Sequence, residues 1–528
     1  MLLHDLILDR VDTHGDRPAL LRGDASLSYG EFAEQLHAAA NGFRAAGIQS
    51  GDRIAVYLNK RFEAVISYFA ANLCGAVFVP VNPVLKPAQV QHILNDCSVS
   101  LLVTSNMQAA AMTKELADCH GLRHLIIADN LDFEQHSAPE IGVQSWTELT
   151  NSSDGSNSTA CRIDNDVAAI LYTSGSTGKP KGVVLSHRNM VVGATSVAGY
   201  LEHTADDIIL AALPFSFDAG FSQMTTAFSV GASVVLMDYL LPRDVPKAAA
   251  RYEVTGLTGV PSLWNQLAKL DWPDEAVDKL RYIATTGGAM PTATLNRLRA
   301  LLPKTKVYLM YGLTESFRST YLPPEELDDR PTSIGKAIPN AEILVVREDG
   351  SPCDAGEPGE LVHRGALVAL GYWNDPERTA QRFRPLPNPP KELPFEEMTV
   401  WSGDTVVADE EGFLYFVGRK DDMIKSSGYR ISPTEVEEVI YNTGLVNECA
   451  ALGIPHPEIG QAVVVAANST DASEETSAAI INACKKALPN FMVPSQIIWQ
   501  DLLPKNPNGK IDRKRLANEL KDLYQSEK

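Results

Sequence analysis

From Ser28 onward, stretches with helical spacing alternate with short β-rich runs: YGEFAEQLHAAANGFRAAG is followed by DRIAVYL, VSLLVTS and RHLIIAD. Alternation of this kind builds parallel strands joined by crossover helices, so the expected class is α/β with doubly wound sheets. The rhythm continues through GASVVLMDYL, VTGLTGVPSLWNQLAKL and RYIATTGG. It passes over the polar stretch TNSSDGSNSTACRIDND, which reads as an exposed loop inside one large region. Between residues 330 and 418 the runs shorten and turn signals crowd in (EDGSPCDAGEPGE, LPNPPKELP), predicting a strand-rich subdomain. After Gly418 the texture changes again. Ser432-Pro433-Thr434-Glu435 fits a capping box with proline in the first turn, and Val436, Val439 and Ile440 follow as an apolar stripe. The expected division is a large N-terminal domain, 1–419, and a small α+β domain, 420–528.

Length and composition agree with at least two domains, since 528 residues at 45% hydrophobic exceed what one core organises. A formal net charge of -20 repels nucleic acid and anionic membranes, so neither is an expected partner. Residues 64–85 carry no charge and are long enough to span a bilayer, yet Asn72, Gly75, Pro80, Asn82 and Pro83 break them into a helix and a buried strand. No transmembrane segment is expected. The seven cysteines show no paired or metal-ligand spacing, which fits reduced thiols. Asp5, Asp9 and Arg10 interrupt the N-terminus too early for a signal peptide, and the cytoplasm is the expected compartment.

Chemistry concentrates in LYTSGSTGKPKGVVLSH, where a β-rich run (168–172) enters a Ser/Thr/Gly/Lys loop and a second run (183–185) leaves it. Gly175, Gly178 and Gly182 let the backbone approach an anion; Thr173, Ser174, Ser176 and Thr177 bring hydroxyls, and Lys179 and Lys181 bring charge. A Walker A loop would need four residues between its glycine and Gly-Lys and a helix after it, and this loop has neither.

The stretch resembles the signature phosphate loop of the adenylate-forming superfamily, which includes acyl-CoA synthetases, nonribosomal adenylation domains and firefly-type luciferases. The resemblance recurs in order along nearly the whole chain: Thr286-Gly287-Gly288-Ala289, Tyr311-Gly312-Leu313-Thr314-Glu315, Gly359-Glu360-Leu361, Trp401-Ser402-Gly403-Asp404, Gly418-Arg419-Lys420-Asp421-Asp422 and Pro504-Lys505-Asn506-Pro507-Asn508-Gly509-Lys510. It implies ATP, Mg2+ and CoA, or the phosphopantetheine of a carrier protein, as cofactors and co-substrates. Gly288, Ala289, Tyr311 and Gly312 would hold adenine, and Asp404, with Arg419 nearby, the ribose. Thr314 would bond phosphate and Glu315 would hold the metal ion. Lys510 would bridge the carboxylate and the α-phosphate, where a cation offsets repulsion between two anions. Asp421 is matched to the hinge about which the small domain turns, and in the turned state Gly428 would border the pantetheine channel with Arg430 near phosphate.

Around the acyl pocket the resemblance puts Phe217, Asp218, Ser222, Val260 and Gly287. Here Leu213-Pro214-Phe215-Ser216-Phe217-Asp218-Ala219-Gly220 lacks the aromatic-His pair of many acyl-CoA synthetases and is similar to the Phe-Asp of amino-acid-activating domains. Tyr-Gly-Leu-Thr-Glu and Ile-Lys-Ser-Ser-Gly-Tyr-Arg-Ile-Ser-Pro are closer to acyl-CoA ligases. The implied activity is therefore acid activation as an acyl-adenylate and transfer to CoA; the alternative is an adenylation enzyme loading a separate carrier protein. A monomer or a homodimer is compatible with either.

Overall fold

The computed structural model describes residues 1–130, 141–151, 159–173, 180–390, 392, 394, 396–419, 422–426, 429–456, 459–507 and 509–524, without the side chains of Tyr429 and Arg430. Ser28 begins the first long helix, Tyr29–Ala45, as a capping box: its hydroxyl accepts from the Glu31 amide while the Glu31 carboxylate accepts from the Ser28 amide. The helix buries Phe32, Leu36 and Phe43. Residues 64–85 divide as expected, into helix Phe62–Leu73 and strand Val77–Pro80.

Two sheets share the N-terminal region. One runs in the order Gly371–Tyr372, Lys181–Ser186, Val167–Thr173, Val77–Pro80, Arg53–Tyr57, Leu101–Thr104, His124–Ile127 and Gly142–Ser145. From Val167–Thr173 outward its pairings are parallel; Lys181–Ser186 folds back antiparallel on Val167–Thr173. The other has a parallel centre of Ser233–Leu236, Ile208–Ala211, Gly256–Gly259, Tyr282–Thr285 and Lys306–Tyr311. The strand-rich stretch does not stand apart from it. Thr320–Leu322 and Ser333–Ala337 continue the sheet antiparallel, and Leu414–Arg419, Met398–Ala408, Pro358–Gly365 and Ala341–Val346 extend it further.

Between the two sheets lies a layer of aromatic side chains. Phe78 and Phe221 stack at 4.9 Å, with Phe69 and Phe228 beside them, all fully buried. Each such ring contributes about 1.5–3 kcal/mol by leaving water. Helix Asp218–Phe228, buried along its whole length, carries two of these rings. It therefore fixes one sheet against the other.

Residues from Ile424 onward form a third sheet: Tyr429–Ile431, Ile424–Ser426, Gly460–Asn468 and Glu448–His456, with Gln496–Trp499 parallel to Gly460–Asn468. Helix Pro433–Asn442 buries Val436 and Ile440 as its stripe predicts. The expected capping box is absent. Ser432 instead donates its hydroxyl to the Val417 carbonyl, tying the helix start to strand Leu414–Arg419. No helix among the described residues is long and apolar enough to cross a membrane, and the seven cysteines are free.

Gly220 packs where no side chain fits, since a Cβ there would lie 1.7 Å from the Pro214 carbonyl oxygen. Gly220→Ala should destabilise the N-terminal region by about 3 kcal/mol, the upper end for overpacking, lowering its thermal midpoint; an unchanged midpoint would contradict this packing.

Candidate active site

Residues 213–218, 260–262, 286–289 and 312–315 all follow carboxyl ends of parallel strands, where open α/β sheets present ligand-binding loops. Ser216, Phe217 and Asp218 of the first segment and the other three segments line one cleft of ≈ 1340 Å³, completed by Asn82 and Thr173 from the other sheet and by Asn506, Pro507 and Lys510 of the C-terminal region. Thr173, Lys181, Phe217, Asp218, Val260, Gly287, Gly288, Ala289, Gly312, Thr314, Glu315, Arg419 and Lys510 all line it. Ser222 does not: it is buried in helix Asp218–Phe228.

The phosphate loop joins two strands of a hairpin whose last register pair is Thr173 opposite Lys181. Ser174, Gly175, Ser176, Thr177, Gly178 and Lys179 lie outside the described residues, as do Asp421 and Gly428; Arg430 belongs by its backbone to strand Tyr429–Ile431. At the hairpin end the Thr173 hydroxyl is buried without a hydrogen-bond partner among the described residues. Lys181 donates to Glu315 Oε1 at 2.9 Å and to the Tyr372 hydroxyl at 2.6 Å. Tyr372 donates in turn to the same carboxylate oxygen, and Arg382 Nε stands 4.0 Å from it. Burial pushes the Glu315 pKa up, but Lys181, Arg382 and the Tyr372 bond prevail and hold it at about 2. The site thus keeps a buried anion among cations.

A magnesium ion fits such a group, because it takes one or two carboxylates and completes its shell with phosphate oxygens and water. Glu315 would supply the one carboxylate; among the described residues no group of three or more His, Cys, Asp or Glu could hold a metal ion by itself.

Toward the other end, Tyr311 donates to Asp404 Oδ2 at 2.5 Å, and Asp404 pairs in register with Arg419 across adjacent strands. Arg419 Nε lies 3.2 Å from Asp404 Oδ1, a buried oxygen with no hydrogen bond among the described residues. Arg419 lines the cleft, whereas Tyr311 and Asp404 do not.

Asp218 opens helix Asp218–Phe228, and its Oδ1 accepts from the Thr314 hydroxyl at 2.9 Å. Burial raises its pKa, while the charge of Arg318, the Thr314 bond and the charge of Lys510 oppose the rise. Arg318 is almost wholly buried beneath Gly312 and donates to the Thr286 hydroxyl at 2.6 Å. The Ser216 hydroxyl and Gln223 Nε2 are also buried without partners among the described residues.

Lys510 enters from a tight turn. Asn506 N donates to Lys510 O at 2.8 Å, Gly509 (φ +79°) donates to Asn506 O, and Lys510 N donates to Asn506 Oδ1. Its ammonium approaches Gly287, where a Cβ would lie 2.8 Å from Lys510 Cε. The side chain keeps contact with cleft water, yet crowding removes enough hydration to pull its pKa below the ordinary value, against the pull of Asp218.

Arg318, Tyr372 and Arg382 were not among the residues expected from the sequence. Each lies within about twenty residues of a motif, but only the fold reveals which side chains turn inward.

A family model described as AMP-binding enzyme matches residues 8–373, and one described as AMP-binding enzyme C-terminal domain matches residues 435–510. A long-chain-fatty-acid–CoA ligase of Escherichia coli O157:H7 is 29% identical, over 98% of this chain and 94% of its own. An L-proline–[L-prolyl-carrier protein] ligase of Streptomyces coelicolor is 31% identical, over 96% and 94%. Among solved structures, ATP-bound MatB from Rhodopseudomonas palustris superposes with a TM-score of 0.86 at 25% identity, covering 99% of this chain and 100% of that one.

Because the Glu315 pKa is lowered on folding, its ionisation stabilises the protein above about pH 4.5 and that contribution fades as pH falls toward 2. Glu315→Gln should cost on the order of 3 kcal/mol at pH 7, and its deficit against wild type should shrink across that window in unfolding measured at stepped pH. A deficit independent of pH would contradict the assignment.

Proposed function

The chain belongs to the AMP-binding enzyme family and is an AMP-forming acid–thiol ligase, and from that premise we propose that it activates a carboxylic acid lacking an ammonium group and passes it to CoA. The observation that carries the choice of acid is the Thr314 to Asp218 hydrogen bond. Asp218 already has a donor in Thr314 and cationic neighbours in Arg318 and Lys510; burial outweighs them and keeps its pKa raised, and in this reading those groups, not a substrate ammonium, are its partners.

In this reading ATP lies along the cleft, with its base by Gly288, Ala289 and Tyr311, its ribose on the open oxygen of Asp404, and its phosphates at the hairpin and Thr314. Lys181, now paired with Glu315, has a second anion to answer when the polyphosphate enters. Bound Mg2+ at Glu315 would neutralise phosphate charge. Lys510 lies between carboxylate and α-phosphate, lowering the repulsion between them and drawing off charge as pyrophosphate leaves. The thiol then attacks the acyl carbon, the acyl–phosphate bond breaks and AMP departs. We take the domain boundary at 419/420, with rotation about Asp421 bringing Gly428 and Arg430 to the site for that second step.

A second reading has one specific support: Asp218 faces the cleft, and a relative 31% identical is a prolyl-carrier ligase. There an amino acid would be activated and its ammonium would sit on Asp218. ATP consumption with matched pairs of acids, one bearing an amino group, separates the two when run with CoA and with a phosphopantetheinylated carrier. Preference for the plain acid with CoA is expected. Strong preference for the amino-bearing partner, lost in Asp218→Ala, would replace the first reading with the second.

Lys510→Ala should reduce acid-dependent pyrophosphate exchange by about 10² to 10³-fold while sparing much of thioester formation from supplied acyl-adenylate. Normal exchange in that variant would remove Lys510 from the chemistry.

A further inference from the structure

Lys510 acts only if its turn is held still, and the turn's two flanking carbonyls are each gripped by a side chain of the N-terminal region. Asn82 Nδ2 donates to the Pro507 carbonyl at 2.9 Å, and the Ser262 hydroxyl donates to the Gly509 carbonyl at 3.0 Å. Asn82 is buried, and its Oδ1 accepts from the Val84 amide at 3.1 Å, so its carboxamide is fixed from both ends. Asn82 follows strand Val77–Pro80 of one sheet, whereas Ser262 stands in the first turn of helix Pro261–Leu267, after strand Gly256–Gly259 of the other. The grip therefore spans both sheets.

The turn itself is stiff, closed by the Lys505–Ile511 bridge and by the bonds of Asn506 to Gly509 and Lys510. A stiff turn held at two points has little freedom to slide, so the grip fixes where the ammonium lies over Gly287.

We propose that Asn82 and Ser262 are positioning residues for the adenylation step, holding Lys510 in place through the carbonyls of Pro507 and Gly509. The proposal rests on Lys510 serving adenylate formation. Both bonds are made by neutral donors to neutral carbonyls, each of modest net strength, which suits a contact that must form and break once per turnover if the turn withdraws before thiol attack.

The test compares Asn82→Ala, Ser262→Ala, the double variant and Ser262→Thr. Acid-dependent pyrophosphate exchange and thioester formation from supplied acyl-adenylate and CoA are measured separately, with hydrogen exchange of the amides in residues 505–511 of the unliganded protein. Each alanine variant should shift the ratio of the two half-reactions about five- to tenfold against adenylation, as expected for one lost hydrogen bond. The double variant should shift it further, Ser262→Thr should restore it, and exchange of the turn amides should quicken about tenfold in the double variant. Equal loss in both half-reactions, or turn amides as protected in the double variant as in wild type, would overturn the proposal. If wild type shows no acid-dependent exchange at all, the functional reading fails while amide protection still decides whether the grip exists.

Discussion

The buried pair between Lys181 and Glu315 is the interaction on which the rest of the cleft depends. Lys181 stands on the strand leaving the phosphate hairpin, Glu315 on the turn ending the last parallel strand of the other sheet, and Tyr372 on the strand edging the first. Elements far apart in sequence are thereby joined at a single carboxylate oxygen. Removing Lys181 or Glu315 would leave the partner's buried charge short of compensation, which costs several kcal/mol, whereas removing Tyr372 would take only hydrogen bonds from a pair that stays intact.

Much of this was legible in the sequence where the cause is local. The split of residues 64–85 and the pairing of the two runs that flank the phosphate loop follow from neighbours a few positions apart. The motifs brought together at the cleft do so because loops after successive parallel strands converge at one edge. What escaped depends on distant partners. Ser432 forgoes its capping role because the Val417 carbonyl competes for its hydroxyl. The strand-rich stretch merges with the second sheet through pairs such as Ser333 with Tyr415, which no local pattern announces. Asp218 finds Thr314 from 96 residues away, and Ser222 turns into the core from the same helix.

The C-terminal sheet buries two apolar layers of its own, one with Val436, Ile440 and Ile480, the other with Leu503 and Leu516, and neither shares a buried residue with the cores of the first 419 positions. What joins that sheet to the cleft is polar: Asn82 to Pro507, Ser262 to Gly509, the Thr292 amide to Glu438. Breaking those hydrogen bonds would open neither apolar layer of the C-terminal sheet nor the cores it lies beside, so loosening the turn that carries Lys510 and unfolding either core require different bonds to break.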